Sequence, residues 1–71
     1  MDNNKMFYRP GRDNTEYYNL LTALRKSGTC KNIPESSNGW FYTYHAEFNG
    51  VNYKIMDDIE NGIPYSIEIL N

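Results

Sequence analysis

With 71 residues, 39% hydrophobic side chains and a formal net charge of −2, the chain has room for one small domain, in which a single helix covers a single sheet. The single cysteine excludes an intrachain disulfide, and no cysteine and histidine set has zinc-site spacing, so we expect no metal, no cofactor and a cytoplasmic location. The polar N-terminus and the lack of a long apolar run predict neither a signal peptide nor a membrane span.

Charge is distributed unevenly along the sequence. Residues 1–31 carry six of the seven basic residues, whereas residues 32–71 carry six of the nine acidic ones. The acidic second half opposes binding to a phosphate backbone, so nucleic acid is not the expected partner.

Residues 1–12 are predicted to form an N-terminal arm or a short strand. Met6-Phe7-Tyr8 favours a strand over about 5–9, and the following Pro10-Gly11 indicates a turn. A flexible arm is the alternative. The single α+β domain then extends over residues 13–71.

A helix is predicted over 14–27. Asp13 is a suitable N-cap, and Glu16 three residues later completes the pattern of a capping box. Four apolar side chains then follow at helical spacing, Tyr17, Leu20, Leu21 and Leu24. Gly28 is predicted to end the helix in a left-handed conformation.

Residues 29–39 are predicted to form a loop, because they contain Pro34, Gly39 and two serines, and only Ile33 could be anchored in a core. After the loop, Asn49-Gly50 lies between two aromatic and β-branched runs and predicts a hairpin with a two-residue turn. That turn places Phe48 opposite Val51.

The period-two alternation of a strand assigns the hairpin side chains to two faces. We expect the helix to cover the face that carries Trp40, Tyr42, Tyr44, Ala46, Phe48, Val51, Tyr53 and Ile55. The reverse face carries the mixed set Phe41, Thr43, His45, Glu47, Asn52, Lys54 and Met56. The first set predicts the core, and the second predicts a surface exposed to water.

A third strand is predicted where Tyr65, Ile67 and Ile69 alternate with Ser66 and Glu68. Pro64 lacks a backbone donor, so we expect this strand at an edge of the sheet. The predicted fold is therefore α+β, with one helix on a three-stranded antiparallel meander (α-β-β-β) and an N-terminal strand as an option.

The predicted partner-binding residues are Phe41, His45, Lys54 and Met56, all on the reverse face. Phe41 and Met56 form either an exposed apolar patch, of the kind enriched at protein interfaces, or a surface that the N-terminal segment covers. His45 is the only histidine, and no nucleophile motif accompanies it, so we interpret it as a surface residue and predict no catalytic site.

A basic patch is a second candidate site. Arg9, Arg12, Arg25 and Lys26 would converge if the N-terminal arm folded beside the end of the helix, and ordinary solvated charges are the alternative. The acidic turn at Asp57 and Asp58 lacks the spacing of a calcium loop, so we expect no metal there. Cys30 follows the C-terminal end of the helix, where a thiol is not activated.

The sequence favours a small non-enzymatic regulator or inhibitor that binds a protein partner, with a homodimer as a further option. Ten asparagines and seven tyrosines suggest an AT-rich genome, and phages and mobile elements of such hosts encode many small acidic proteins that block a host protein or a defence complex.

RNA binding is the alternative function. The predicted order of one helix and three strands resembles the double-stranded-RNA-binding fold, and "LLTALRKSG" ahead of a strand histidine is similar to the HicA-type toxin ribonucleases. These resemblances imply contact with RNA. The glycine-serine-histidine motif of those toxins and the basic C-terminal helix of the RNA-binding fold are both missing, so no residue role carries over.

Overall fold

The computed structural model describes residues 4–27, 29–32 and 39–70. This part of the chain forms an α+β fold, as predicted, but the sheet has five strands rather than three. Its elements are β1 (Lys5–Phe7), α1 (Thr15–Ser27), β2 (Thr29–Asn32), β3 (Phe41–Phe48), β4 (Val51–Asp58) and β5 (Ile63–Ile69). The strand order is β1-β5-β4-β3-β2, and all neighbouring strands are antiparallel.

Helix α1 begins one residue later than predicted, and its N-terminus is capped in a different way. The Asp13 carboxylate accepts hydrogen bonds from the backbone N–H and the hydroxyl of Thr15, at 3.0 and 2.6 Å, rather than from Glu16. The Asn14 carbonyl accepts the first helical hydrogen bond, from the N–H of Tyr18. The predicted capping box is therefore replaced by an Asx turn at Asp13, two residues before the helix begins. The predicted stop at Gly28 lies outside the described residues.

The predicted apolar stripe of α1 packs against the middle of the sheet. Tyr17, Leu21 and Leu24 are buried, and Leu20 is partly buried against them. The sheet contributes four buried side chains to the same core, Tyr44, Ala46, Ile55 and Ile67. The core therefore lies between the helix and the three central strands, β3, β4 and β5.

The hairpin is confirmed together with its register. Phe48 pairs with Val51 and Tyr44 with Ile55. Asn49 and Gly50 have φ values of 53° and 78°, as a type I′ turn requires.

Two residues that were predicted in the core are instead exposed, Trp40 at 59% and Tyr42 at 41%. Trp40 precedes β3 and Tyr42 lies at the beginning of it, beyond the segment around Tyr44 and Ala46 that packs against the helix.

The prediction of a loop over residues 29–39 is wrong for its first four residues. Residues 29–32 form β2, which pairs with β3 from Thr29 opposite Glu47 to Asn32 opposite Tyr44. Residues 33–38 of the predicted loop, which include Ile33 and Pro34, lie outside the described residues.

The prediction that the last strand lies at an edge is also wrong. β5 lies between β4 and β1, and Met6 of β1 pairs with Ile67. Pro64 is tolerated because the ladder with β1 ends where Phe7 pairs with Ser66, so β1 does not extend as far as Pro64.

A β-bulge interrupts the pairing of β4 with β5. Met56 pairs with Ser66, but the next residue of β4, Asp57, pairs with Pro64. Tyr65 is therefore the extra residue, and it shares a face with Ser66 rather than with Ile67. Simple alternation predicts that Tyr65 lies on the helix side of the sheet with Ile67. The ring contacts of Tyr65, described below, place it on the other face.

The length of α1 matches the width of the sheet. Its 13 residues span about 20 Å at about 1.5 Å per residue. Five strands about 4.8 Å apart span about 19 Å. The helix carries the chain from β1 at one edge to β2 at the other, and all its contacts with the sheet lie on one face.

Candidate functional site

Among the described residues, no helix and no second sheet packs on the sheet face opposite α1, which we call the open face. The N-terminal strand β1 lies in the plane of the sheet at its edge, so it extends this face and does not cross over Phe41 and Met56. Both side chains are partly buried, so the exposed apolar patch stays a prediction.

Three rings form a cluster on the open face, which we call the aromatic cluster: Phe7, Phe41 and Tyr65. The Tyr65 ring lies between the other two, with its centroid 4.7 Å from that of Phe41 and 5.7 Å from that of Phe7. The contact with Phe7 is edge-to-face, at an interplanar angle of 84°. Phe7 is still 46% exposed and Tyr65 36%, so the cluster is packed internally and also accessible to a partner.

Two small hydroxyl side chains lie beneath the larger ones on this face. Thr43 is completely buried and Ser66 is 1% exposed. They occupy one row of the sheet, in which Met56 pairs with both of them and Phe7 pairs with Ser66. The centre of the open face is therefore shielded from water at these two positions.

A second row of side chains, which we call the charged row, crosses all five strands. In spatial order it contains Lys31, His45, Lys54, Glu68 and Lys5. It lies about 7 Å from the row of Thr43 and Met56, because residues two apart along a strand are separated by about that distance. Lys5 also links the two features, with its ammonium nitrogen 5.2 Å from the centroid of the Phe7 ring.

The lysines of the charged row form no salt bridge within the described part of the chain, although Glu68 is the direct cross-strand neighbour of both Lys54 and Lys5. The one ion pair there joins Arg25 to Asp57, on the other face of the sheet. Lys31, at the edge of the sheet, is the one lysine of the row that has no carboxylate as its neighbour in the row.

All four residues predicted to bind a partner lie on the open face. Phe41 belongs to the aromatic cluster, His45 and Lys54 are cross-strand neighbours in the charged row, and Met56 lies between Thr43 and Ser66. Phe7 and Tyr65 were missed as site residues. Only the pairing of β1 with β5 and the bulge bring them to this face, and neither leaves a pattern in the sequence.

The structure does not bring the predicted basic patch together. Arg9 and Arg12 lie in the loop that enters α1, where the backbone N–H of Arg9 donates to the Asn14 side chain at 2.9 Å. Arg25 and Lys26 lie in the last turn of the helix, about 20 Å away along its axis. The two pairs are at opposite ends of α1.

Arg25 has a structural contact of its own on the helix side. Its Nε donates to the Tyr44 hydroxyl at 3.1 Å, and one terminal nitrogen donates to Asp57 at 3.3 Å. Burial raises the pKa of Asp57, although Arg25 acts in the opposite direction. Burial also raises the pKa of Tyr44. These contacts tie the end of α1 to β3 and β4.

The remaining candidates have local structural roles. Asp58 accepts hydrogen bonds from the backbone and side-chain nitrogens of Asn61, which hold the β4–β5 turn and lower the Asp58 pKa. The Cys30 thiol donates to the Leu24 carbonyl at 3.7 Å. Among the described residues, no three acidic, histidine or cysteine side chains come together as a metal site would require, and no helix is long and apolar enough to cross a bilayer.

Comparison with known proteins gives no relative. No family model, curated protein or solved structure matches the chain. The function therefore has to be argued from the open face itself.

Proposed function

We propose that the protein is a small non-enzymatic regulator or inhibitor that binds a protein partner through the open face. The observation that supports this proposal is the aromatic cluster, with Phe7 46% and Tyr65 36% exposed, beside the lysines of the charged row. Aromatic and methionine side chains are enriched in the centres of protein interfaces, and charged groups surround them. Met56 at the centre of the face adds to this composition.

A catalytic role has less support. The cross-strand neighbours of His45 are Lys31 and Lys54, rather than the carboxylate that orients a catalytic histidine. We therefore assign His45 to the binding surface. By analogy of composition alone, with the small acidic proteins with which phages and mobile elements block a host protein or a defence complex, we propose a target of that class.

Single-stranded RNA is the second candidate, because rings on an open sheet beside lysines are also how some RNA-binding sheets stack bases. The described order, a strand, a helix and four strands, differs from the helix and three strands on which the resemblance to double-stranded-RNA-binding domains was based. The acidic balance of the chain favours the protein partner.

The test is affinity capture from the lysate of a low-GC bacterial host, with nuclease treatment and mass spectrometry. Phe7→Ser alters the open face, and Tyr18→Ser is its matched control, because Tyr18 is also 46% exposed but lies on the helix. We expect wild type and Tyr18→Ser to retain one stoichiometric protein that Phe7→Ser loses, with circular dichroism showing all three folded. Retention of that protein by Phe7→Ser, or recovery of nucleic acid alone, would refute the proposal.

A further inference from the structure

We propose that the segment bound by the open face is acidic, with an apolar side chain on the aromatic cluster and carboxylates on the lysines of the charged row. This inference rests on the proposed function and adds the chemistry of the partner. Charge complementarity carries it, since the row contains three lysines and one glutamate, a formal excess of two positive charges in a chain whose net charge is −2.

The spacing suits a short peptide segment. Lys31, Lys54 and Lys5 lie on alternate strands, so neighbouring lysines are about 10 Å apart across the sheet. The aromatic cluster begins about 7 Å to one side of them. A segment with one apolar anchor and two or three carboxylates within a few residues reaches both features at once.

The size of the face argues against a flat dimer of two copies. Its width is about 19 Å, and the strands range from about 10 Å for β1 to about 26 Å for β3 and β4, so the footprint is at most about 450 Å². That is near half of the roughly 800 Å² that each partner buries in a stable interface. A two-fold axis would also bring one charged row close to its own copy, with lysines facing lysines. A short segment has neither difficulty.

The acidic residues of the face argue against nucleic acid. Glu68 interrupts the charged row, Glu47 lies in the next row beyond His45, and Asp58 pairs with Phe41 on the far side of the aromatic cluster. A continuous phosphate backbone would pass over these carboxylates, whereas a peptide can place its own charges only where the lysines are.

The test uses short synthetic peptides that share one Trp-Leu anchor and differ in flanking residues, which are glutamate, serine or lysine. An oligouridylate serves as the nucleic-acid probe. Each is titrated into ¹⁵N-labelled full chain, and amide shifts are followed by NMR at low and at physiological salt. We expect the glutamate peptide to bind best, with shifts at Phe7, Phe41, Tyr65 and the charged row, and to weaken as salt rises.

Charge reversal supplies the matched pair of variants. Lys54→Glu should weaken binding of the glutamate peptide about tenfold and favour the lysine peptide. Lys26→Glu makes the same charge change in the last turn of the helix, away from the open face, and should leave affinity within about twofold.

Each other outcome overturns the inference in a different way. Equal binding of all three peptides at the open face would remove the acidic preference while leaving the proposed function intact. Binding of the oligouridylate in their place would move the assignment to RNA. Shifts at the open face on simple dilution of the protein would assign the face to a second copy. If the glutamate peptide did not bind at all, the inference of an acidic segment would also be wrong. The lysate capture with Phe7→Ser then decides separately whether the open face binds a protein.

Discussion

Replacement of Tyr65 by alanine tests the placement of the β-bulge, on which the open face depends. The Tyr65 ring lies between Phe41 and Phe7, with centroids 4.7 and 5.7 Å away. If the strand instead followed simple alternation, Tyr65 would share the helix side with Ile67 and would not touch Phe41. The two arrangements predict different energetic couplings, so a stability measurement distinguishes them.

The expected cost of Tyr65→Ala follows from the burial of the ring. A tyrosine side chain presents about 200 Å², and at 36% exposure about 130 Å² of it is removed from water. At about 25 cal/mol per Å² this amounts to about 3 kcal/mol, or about 2 kcal/mol once the compactness of the unfolded chain is allowed for. A domain of this length has a total stability of about 4 to 11 kcal/mol, so the loss is easily measured.

The assay is urea unfolding of wild type, Tyr65→Ala, Phe41→Ala and the double variant. We expect the two substitutions to be coupled by about 0.5 to 1.5 kcal/mol, as for other aromatic pairs in contact. Ile59→Ala is the control, because Ile59 is 51% exposed and should cost less than about 1 kcal/mol. Additive losses at Tyr65 and Phe41 would refute the bulge and the cluster together.

Two further predictions concern the core and the hairpin. Burial raises the pKa of Tyr17, and the Asp57 carboxylate adds to this effect, so the folded state keeps the phenol proton above about pH 10, where the unfolded chain releases it. The free energy of unfolding should therefore fall as pH rises above about 10, and Tyr17→Phe should make that fall shallower. The substitution should cost little at neutral pH, because the hydroxyl has no hydrogen-bond partner among the described residues. If urea unfolding gave the same pH dependence of stability for wild type and Tyr17→Phe, the prediction would be wrong. Gly50→Ala should lower the free energy of unfolding by about 1 to 2 kcal/mol, since φ is 78° there. Gly39→Ala is the control and should stay within about 0.5 kcal/mol, because Gly39 has no positive φ and open space around the new Cβ. Equal unfolding temperatures for the two variants would contradict the type I′ turn.

The parts of the fold that were predictable are those that local chemistry determines. The apolar stripe of the helix needs only the spacing from Tyr17 to Leu24, and the hairpin register needs only Asn49-Gly50, because a two-residue turn admits one alignment. The same alignment correctly placed Phe41, His45, Lys54 and Met56 on one face before any tertiary contact was known. Local signals therefore sufficed for the centre of the sheet.

The edges of the sheet and the bulge come from tertiary contacts that have no local signal. β1 and β2 have three and four residues, too few to show an alternation, and each is a strand because a longer neighbour pairs with it. Tyr65 fits the alternation of Ile67 and Ile69 in the sequence, so only the pairing of Asp57 with Pro64 reveals that it turns to the other face. The aromatic cluster could not be assembled without both features.

The open face follows from the length of the chain as well as from its composition. The helix spans the sheet from edge to edge, and it contains the one stripe of apolar residues at helical spacing that the described chain supplies. The second face therefore carries the aromatic cluster, in which Phe7 and Tyr65 are accessible, and the buried side chains of Thr43 and Ser66. A partner that covers these rings binds only the folded chain, so it should raise the unfolding temperature in proportion to the logarithm of its concentration. Under the proposed function, binding and stability of so small a domain would thereby be linked through the same rings.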